Sequence, residues 1–168
     1  TPEQVYAVMN ALNAVGVSLL ILSGGTPIRR PDIFEIAHRA KGMGFYVGLS
    51  TNGTLISEDN IQKIVDVGYK YVGISIDGPE KFHDYYRLDY SGSSTFHKVM
   101  KAIEKCKKYG VEFNTLTLLN NRNVEHPDEL FDFFIENGVR YLQFIPCVEL
   151  DAVSGKIADF SIMPQQYG

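Results

Sequence analysis

The chain has 168 residues, of which 45% are apolar and 21% are charged. This composition excludes a disordered or collagen-like protein and is typical of one globular domain. With 16 Lys and Arg residues against 20 Asp and Glu residues, the net charge of −4 gives no basic footprint, so we expect neither nucleic acid nor a membrane among the partners.

Short apolar runs bounded by turn residues alternate with segments of helical periodicity. The predicted strands, in chain order, are Val17–Leu22, Phe45–Leu49, Tyr71–Ile76, Val111–Leu119 and Tyr141–Ile145. Helices are predicted before and between them, at Pro2–Ala14 and around Ile33–Ala40, Ile61–Val65, Phe96–Cys106 and Leu130–Phe134. Such alternation requires parallel strands with right-handed crossovers, so the predicted fold class is α/β.

The two faces of the predicted strands differ in polarity. In the second strand Val47 and Leu49 share an apolar face, whereas Ser50 lies on a small and polar one. A doubly wound sheet needs apolar residues on both faces, but a barrel packs one face under helices and keeps the other for a ligand. We therefore expect a partial (βα)6 TIM-like barrel with five βα units over residues 1–147. Residues 148–168 are expected to form an unsupported C-terminal extension.

Polar clusters follow four of the predicted strands. They are Ser23–Pro27, Ser50–Thr54, Ser75–Pro79 and Pro146–Glu149. Each cluster alone is typical of a turn, but the carboxyl ends of parallel strands meet at one rim, where α/β proteins bind ligands. The sequence has neither GxxxxGK[ST] nor GxGxxG, which argues against a nucleotide-phosphate site.

Cysteine and histidine usage indicates no metal site. The two cysteines are too few for a disulfide framework. The sequence also shows no apolar run of membrane-spanning length and no signal-peptide pattern at its start, so we expect a cytoplasmic chain. Cys106 is predicted in the core and Cys147 at a strand end. The histidines are expected at solvent-facing or helix-terminal positions; they are His38, His83, His97 and His126. Asp77 either acts on a ligand or shapes its Asp-Gly-Pro turn.

Taken together, these segments resemble the barrel of a radical S-adenosylmethionine (SAM) enzyme from about Val17 onward. The matching segments are SGGTP, LSTNGTL, GISIDGPEKFHDYYR, TFHKVMKAIEKCKKYGVEFNTLTLLN, YLQFIPCVE and GKIADFSIMPQQYG. From Ser75 onward the chain resembles the anaerobic sulfatase-maturating enzymes, which oxidise a Cys or Ser of a sulfatase peptide to formylglycine. The stretch Gly24–Gly78 resembles at least as much the radical enzymes of haem and haem d1 biosynthesis, which modify tetrapyrroles.

The resemblance implies a binding site for SAM. Gly24 and Gly25 match the family's Gly-Gly, which meets the methionine end of the cofactor, and Thr26 stands where the family has a glutamate. Arg87 matches an arginine that pairs with the carboxylate of the cofactor. The implied cofactor-binding residues are Gly24, Gly25, Thr26, Ser50, Asn52, Ser75, Asp77, Arg87 and Leu142, with Ser23 and Gln143 toward the substrate. No catalytic residue is assigned.

The family also holds a four-iron four-sulfur cluster through CxxxCxxC, which this sequence lacks. The resemblance therefore implies that the first strand, the cluster loop and a C-terminal cluster domain lie outside the chain. We expect a catalytically incomplete barrel core that acts on a sulfatase-type peptide or small molecule. The alternatives are a tetrapyrrole-modifying enzyme and a non-catalytic scaffold. An absent first strand would also leave Val17–Leu22 as an exposed edge, which predicts self-association.

Overall fold

The structure is a computed structural model that describes residues 1–167. The helices are α1 (Pro2–Ala14), α2 (Ile33–Gly42), α3 (Glu58–Val67), α4 (Glu80–Tyr86), α5 (Phe96–Lys108), α6 (Pro127–Glu136) and α7 (Pro164–Tyr167). The strands are β1 (Leu19–Leu22), β2 (Tyr46–Thr51), β3 (Tyr71–Ser75), β4 (Asn114–Leu119) and β5 (Leu142–Pro146). None of the helices in this range has the length and apolarity that crossing a bilayer requires.

The strands form one sheet in the order β1-β2-β3-β4-β5. The pairs β1–β2, β2–β3 and β4–β5 are parallel. The α/β prediction with five strands is thereby confirmed. The fourth strand begins three residues later than predicted, because the Val111 amide donates to the Cys106 carbonyl at 2.8 Å and closes the end of α5 instead of entering the sheet.

Two short helices, α4 and α7, were not predicted from the periodicity. The first of them, α4, follows β3. It begins directly after Pro79, with Glu80 in its first turn, a sequence that suits a helix start because proline lacks the amide that a first turn leaves unbonded. Its seven residues are too short for a clear apolar period. By contrast, α3 has a clear terminating residue, because Gly68 adopts the left-handed conformation with φ 59° at its C-terminus.

The described residues divide into two compact units. The first unit is residues 1–74 with 98–113, and the second is residues 75–97 with 114–167. The core of the first unit packs α1 and α2 on β2; its buried residues are Met9, Ile36, Ala37, Ala40, Phe45, Val47 and Val67. Burying each of the larger of these side chains contributes about 1.5–3 kcal/mol of apolar transfer free energy.

The segment that follows β5 is supported by the second unit. Ser161 and Ile162 are buried, the Ile162 amide donates to the Cys147 carbonyl at 2.9 Å, and the Glu149 amide donates to Ser161 Oγ at 2.9 Å. The expectation of an unsupported extension is therefore wrong for this stretch. The weak local pattern concealed it because its bonds reach back 12 to 15 residues along the chain.

Candidate functional site

The loop after β1 in the first unit has an open backbone. Ser23, Gly24 and Gly25 are exposed, and the two glycines have φ angles of 103° and 38°. Residues other than glycine rarely adopt these backbone angles. Apart from the chain neighbours, no atom of the described residues lies within 4 Å of where a Cβ of either glycine would stand. The backbone groups of this loop are therefore accessible to a ligand.

A cavity of about 560 Å³ lies beside this loop in the first unit. Its lining includes Ile21, Ser23, Gly24, Thr26, Arg29 and Ile33. It combines polar loop atoms with apolar side chains from β1 and α2, which is the composition of many small-molecule sites. Arg30, also on its wall, is engaged by Asp32 at 2.6 Å.

Two predicted site residues of the first unit are in contact. Asn52, after β2, donates from Nδ2 to Thr26 Oγ1 at 3.2 Å. Its Oδ1 accepts from the Thr54 amide at 3.2 Å and from Thr54 Oγ1 at 2.9 Å. Ser50 is half-buried within β2, two residues before Asn52. The structure therefore joins the ends of β1 and β2 through Thr26 and Asn52.

The second unit holds Asp77 in a dense polar network. The carboxylate is 2% exposed and accepts from Arg87 Nε at 2.5 Å, Arg87 Nη2 at 3.1 Å and the Leu118 amide at 2.9 Å. The Asp77 carbonyl accepts from Asn123 Nδ2 at 3.2 Å. These bonds give Asp77 a structural role in its turn, one of the two roles that the sequence left open. Ser75 is half-buried at the end of β3.

Arg87 keeps one edge of its guanidinium without a hydrogen-bond partner among the described residues. Its side chain is 29% exposed, and Asp77 uses only Nε and Nη2. Nη1 makes no hydrogen bond with any described residue, so the end of the guanidinium formed by Nη1 and Nη2 is available. That end is a planar two-donor fork, which matches a carboxylate.

His83 lies in the last turn of α4, so it occupies a helix-terminal position, one of the two kinds expected for the histidines. Its side chain is fully buried, which the sequence did not predict, and it packs 5.9 Å from the ring of Phe96. Burial lowers the pKa of His83 to about 4, against the opposing effect of Asp77. Sequence reasoning missed this residue because its partners come from a neighbouring loop; its place six residues after Asp77 and four before Arg87 was the signal available.

At the end of β5 the predicted residues are more exposed. Leu142 is half-buried and Gln143 is exposed, and Asn114 Nδ2 donates to Gln143 Oε1 at 3.5 Å. Both lie within the second unit, as does Asp77. The structure shows no bond from either residue to the Asp77 network, so their assignment stays a prediction.

The side chains present do not fit an iron–sulfur cluster. Cys106 is fully buried, as predicted for the core, and burial raises its pKa to about 11. Cys147 is also buried, and its pKa is raised by burial and by Glu149 and Asp77. Such clusters are held by several thiolates, but these two cysteines lie in different units. Across residues 1–167 no three Cys, His, Asp or Glu side chains form a metal-ligating group.

The side chains do fit parts of a SAM site. The open glycine loop of the first unit leaves space where a Cβ would stand. In the second unit the free edge of Arg87 suits the carboxylate of an amino acid. Thr26 is a neutral hydroxyl where a carboxylate would bind an ammonium group more strongly.

Known proteins resemble the chain across most of its length. The Radical SAM superfamily profile matches residues 1–134. A serine-type anaerobic sulfatase-maturating enzyme from Bacteroides thetaiotaomicron is 35% identical over 165 residues, which cover 86% of this chain and 40% of that enzyme. A cysteine-type enzyme from Clostridium perfringens is 39% identical over 148 residues, covering 88% and 40%. An AdoMet-dependent heme synthase from Methanosarcina barkeri is 32% identical over 139 residues, covering 82% and 39%.

Solved structures agree with these sequence relatives. Native anSMEcpe with bound AdoMet superposes with a TM-score of 0.86 at 30% identity, covering 99% of this chain and 48% of that one. The same enzyme with AdoMet and the Cp18Cys peptide gives a TM-score of 0.82 at 33% identity, covering 97% and 46%. The predicted barrel-type α/β fold is confirmed. The chain spans about 40% of the length of the curated relatives that it matches, and it belongs to the radical SAM superfamily.

Proposed function

We propose that this chain is the SAM-binding core of an anaerobic sulfatase-maturating enzyme. The parent protein would oxidise a Cys or Ser of a sulfatase peptide to formylglycine in the cytoplasm. One observation carries the proposal: Arg87, held by the buried carboxylate of Asp77, keeps a two-donor edge free. The sulfatase-maturating relatives from two bacteria, both at least 35% identical, support the choice of enzyme class.

In this proposal Arg87 binds the carboxylate of SAM through Nη1 and Nη2. Because Asp77 holds the other edge of the guanidinium, the fork is fixed before the ligand arrives, which lowers the entropy lost on binding. When bound, SAM would supply a 5′-deoxyadenosyl radical for hydrogen abstraction from the substrate residue, with the one electron for its reductive cleavage coming from an iron–sulfur cluster. The chain's own contribution is binding and orientation, since residues 1–167 offer no cluster ligands.

The remaining cofactor residues are proposed from the resemblance. In the first unit these are the open loop of Gly24 and Gly25, with Thr26, Ser50 and Asn52. In the second unit they are Ser75 and Leu142, with Gln143 toward the substrate as Ser23 is in the first.

Calorimetric titration of SAM into the iron-free chain tests the proposal. Arg87→Ala should weaken binding by about tenfold or more, because a hydrogen-bonded charge contributes about 1.5–3 kcal/mol. Arg140→Ala is the matched control, since Arg140 is an exposed arginine of the same unit. Equal losses in both variants would mean a nonspecific charge effect, and unchanged binding in Arg87→Ala would remove the assigned contact.

Thr26 provides a second test from the first unit. Thr26→Glu should tighten SAM binding, because it adds a charge-assisted acceptor for the ammonium group. Thr26→Gln, of similar size but neutral, should not. No binding of SAM in any of these proteins would favour the scaffold alternative.

A tetrapyrrole is the second candidate substrate, favoured by the 32% identical heme synthase relative. Titrating a sulfatase-motif peptide and an iron porphyrin into the SAM-loaded chain separates the two candidates. Saturable binding of the peptide alone supports the proposal, and saturable binding of the porphyrin alone replaces it.

We also propose self-association through β1. This strand stands at one end of the sheet, and Leu19 and Ile21 are 49% and 46% exposed. An apolar edge of this kind favours pairing with another chain. Sedimentation velocity should show concentration-dependent dimers that Ile21→Lys abolishes; a monomer at all concentrations would contradict the proposal.

A further inference from the structure

Both ring nitrogens of His83 are hydrogen-bonded inside the second unit. The Asp77 amide donates to Nδ1 at 3.3 Å, so Nδ1 carries no proton. Nε2 lies 3.0 Å from Thr95 Oγ1. In a neutral imidazole the proton must then be on Nε2, which donates to the threonine hydroxyl. One tautomer therefore satisfies both bonds.

Thr95 passes this connection on to Arg87. Its hydroxyl accepts from His83 and donates to the Arg87 carbonyl. Asp84 fixes the same segment, because its Oδ1 accepts from the amides of Thr95 and Phe96, each at 3.1 Å. The imidazole thus joins the start of the Asp77 loop to the backbone of Arg87, while the Asp77 carboxylate holds the guanidinium of that same arginine.

The surroundings keep the ring neutral. The charged groups that face His83 are Asp77, Asp84 and Arg87. Burial outweighs the two carboxylates and lowers the pKa of His83 to about 4. A protonated ring would present two donors and lose the acceptor that the Asp77 amide requires.

We infer that His83 is a positioning residue for ligand binding: through Asp77 on one side and Thr95 on the other, its Nε2–H tautomer holds the free edge of Arg87 in place for a carboxylate. This rests on the proposed function only in naming SAM as the bearer of that carboxylate. The observations that carry this inference are the bonds to both ring nitrogens and to the Arg87 carbonyl.

Two variants break the connection at different points. His83→Phe keeps a buried ring without its nitrogens, and Thr95→Val keeps the shape of the side chain without its hydroxyl. Each should weaken SAM binding by about tenfold, and the double variant should lose little more, since the two residues act in one chain of bonds. His83→Asn, which restores an acceptor near Nδ1, should recover part of the affinity. If His83→Phe does not fold, Thr95→Val carries the test.

Thr115→Val is the matched control. Thr115 is a fully buried threonine of the same unit, and its hydroxyl has no hydrogen-bond partner within residues 1–167. Its removal should leave SAM affinity unchanged, whereas an equal loss in Thr115→Val and Thr95→Val would overturn the specific role of Thr95.

A second readout works without SAM. Nitrogen-15 NMR should show His83 with Nδ1 unprotonated and Nε2 protonated, and solvent exchange of the Arg87 Nε proton should accelerate by about tenfold or more in His83→Phe and Thr95→Val. If the wild-type chain binds no SAM, the proposed function fails, and this exchange rate alone decides the inference. An unchanged exchange rate of the Arg87 Nε proton in both variants would overturn the inference. Wild-type affinity for SAM in both variants, with binding lost in Arg87→Ala, would also overturn it and leave the proposed function standing.

Discussion

The loops after β1 and β3 both follow the carboxyl end of a strand, but they differ in exposure and in hydrogen bonding. The loop of residues 23–26 exposes its backbone, and its side-chain bond is the one that Thr26 accepts from Asn52. The loop of residues 76–79 is buried, and Arg87 and His83 both bond to it. The first loop leaves open space around its glycines. The second loop uses its polar groups to hold the side chain of Arg87.

The difference shows in what each loop tolerates. An open loop depends on backbone conformation, which glycine alone supplies at little energetic expense. A networked loop depends on every member of its network, because an unsatisfied buried polar group costs about 1–3 kcal/mol. The same fold therefore carries one region sensitive to ligand contacts and another sensitive to single internal bonds.

The largest expected difference in stability is between alanine variants of one glycine from each loop. Gly78 and Gly24 have nearly equal φ angles of 107° and 103°, but a Cβ on Gly78 would overlap Leu130 Cδ2, whereas one on Gly24 meets no atom within 4 Å. Alanine at either position adds backbone strain of about 1–3 kcal/mol, and overpacking adds about 1–3 kcal/mol at Gly78 alone. Urea unfolding should therefore rank Gly78→Ala well below Gly24→Ala in stability; equal losses would contradict the packing of Leu130.

The next largest loss of stability is expected when Asp77, the centre of the polar network, is replaced. Asp77→Ala leaves Arg87 without its counterion and the Leu118 amide without its acceptor, which should lower the free energy of unfolding by about 3 kcal/mol. Asp66→Ala, at an exposed position of α3, should change it by less than about 0.5 kcal/mol. Thermal unfolding of both variants checks this, and similar small losses in the two would disprove the network's importance.

A pH effect should follow from His83. Its pKa is lowered to about 4 in the folded chain, so between about pH 4 and 6.5 the unfolded chain binds more protons, and stability falls as the pH falls. From about pH 7 to 5 this amounts to about 2 kcal/mol. Urea unfolding across that range should show a flatter profile for His83→Asn than for wild type; parallel profiles would mean that His83 titrates normally.

The smallest change in stability is expected for a substitution in the open loop after β1. Thr26→Val removes the bond from Asn52 Nδ2, which should reduce stability by about 0.5–1 kcal/mol because both groups are only partly buried. A double-mutant cycle with Asn52→Ala measures the coupling. Additive losses would show that this bond contributes nothing to the first unit.

Local patterns predicted most of the fold. Apolar periodicity located all five strands and the longer helices, because burial of one face repeats over short distances along the chain. The end of α3 at Gly68 has an equally local cause, because glycine readily adopts the left-handed conformation. Helix α4 is too short to show a period, so it escaped prediction.

The sequence named candidate site residues one by one but not the pairings among them. The sequence named both Asp77 and Arg87, yet it assigned Arg87 to a ligand, whereas the structure shows Asp77 on one of its edges. The burial of His83 was missed because it depends on Thr95, 12 residues away, and on the fold of the loop between them. Such pairings are set by tertiary packing, which no single-residue pattern reports.

The division of the first unit along the chain has a consequence for biosynthesis. A Cβ on Gly53 would lie 3.5 Å from Val99 Cγ1 and 3.7 Å from Ala102 Cβ, both of α5. The part of α5 that belongs to the first unit is synthesised only after residues 75–97 of the second unit. A nascent chain that has emerged as far as residue 74 therefore lacks part of the packing of its own unit. Acquisition of protease resistance on the ribosome should wait until residues 98–113 have left the exit tunnel.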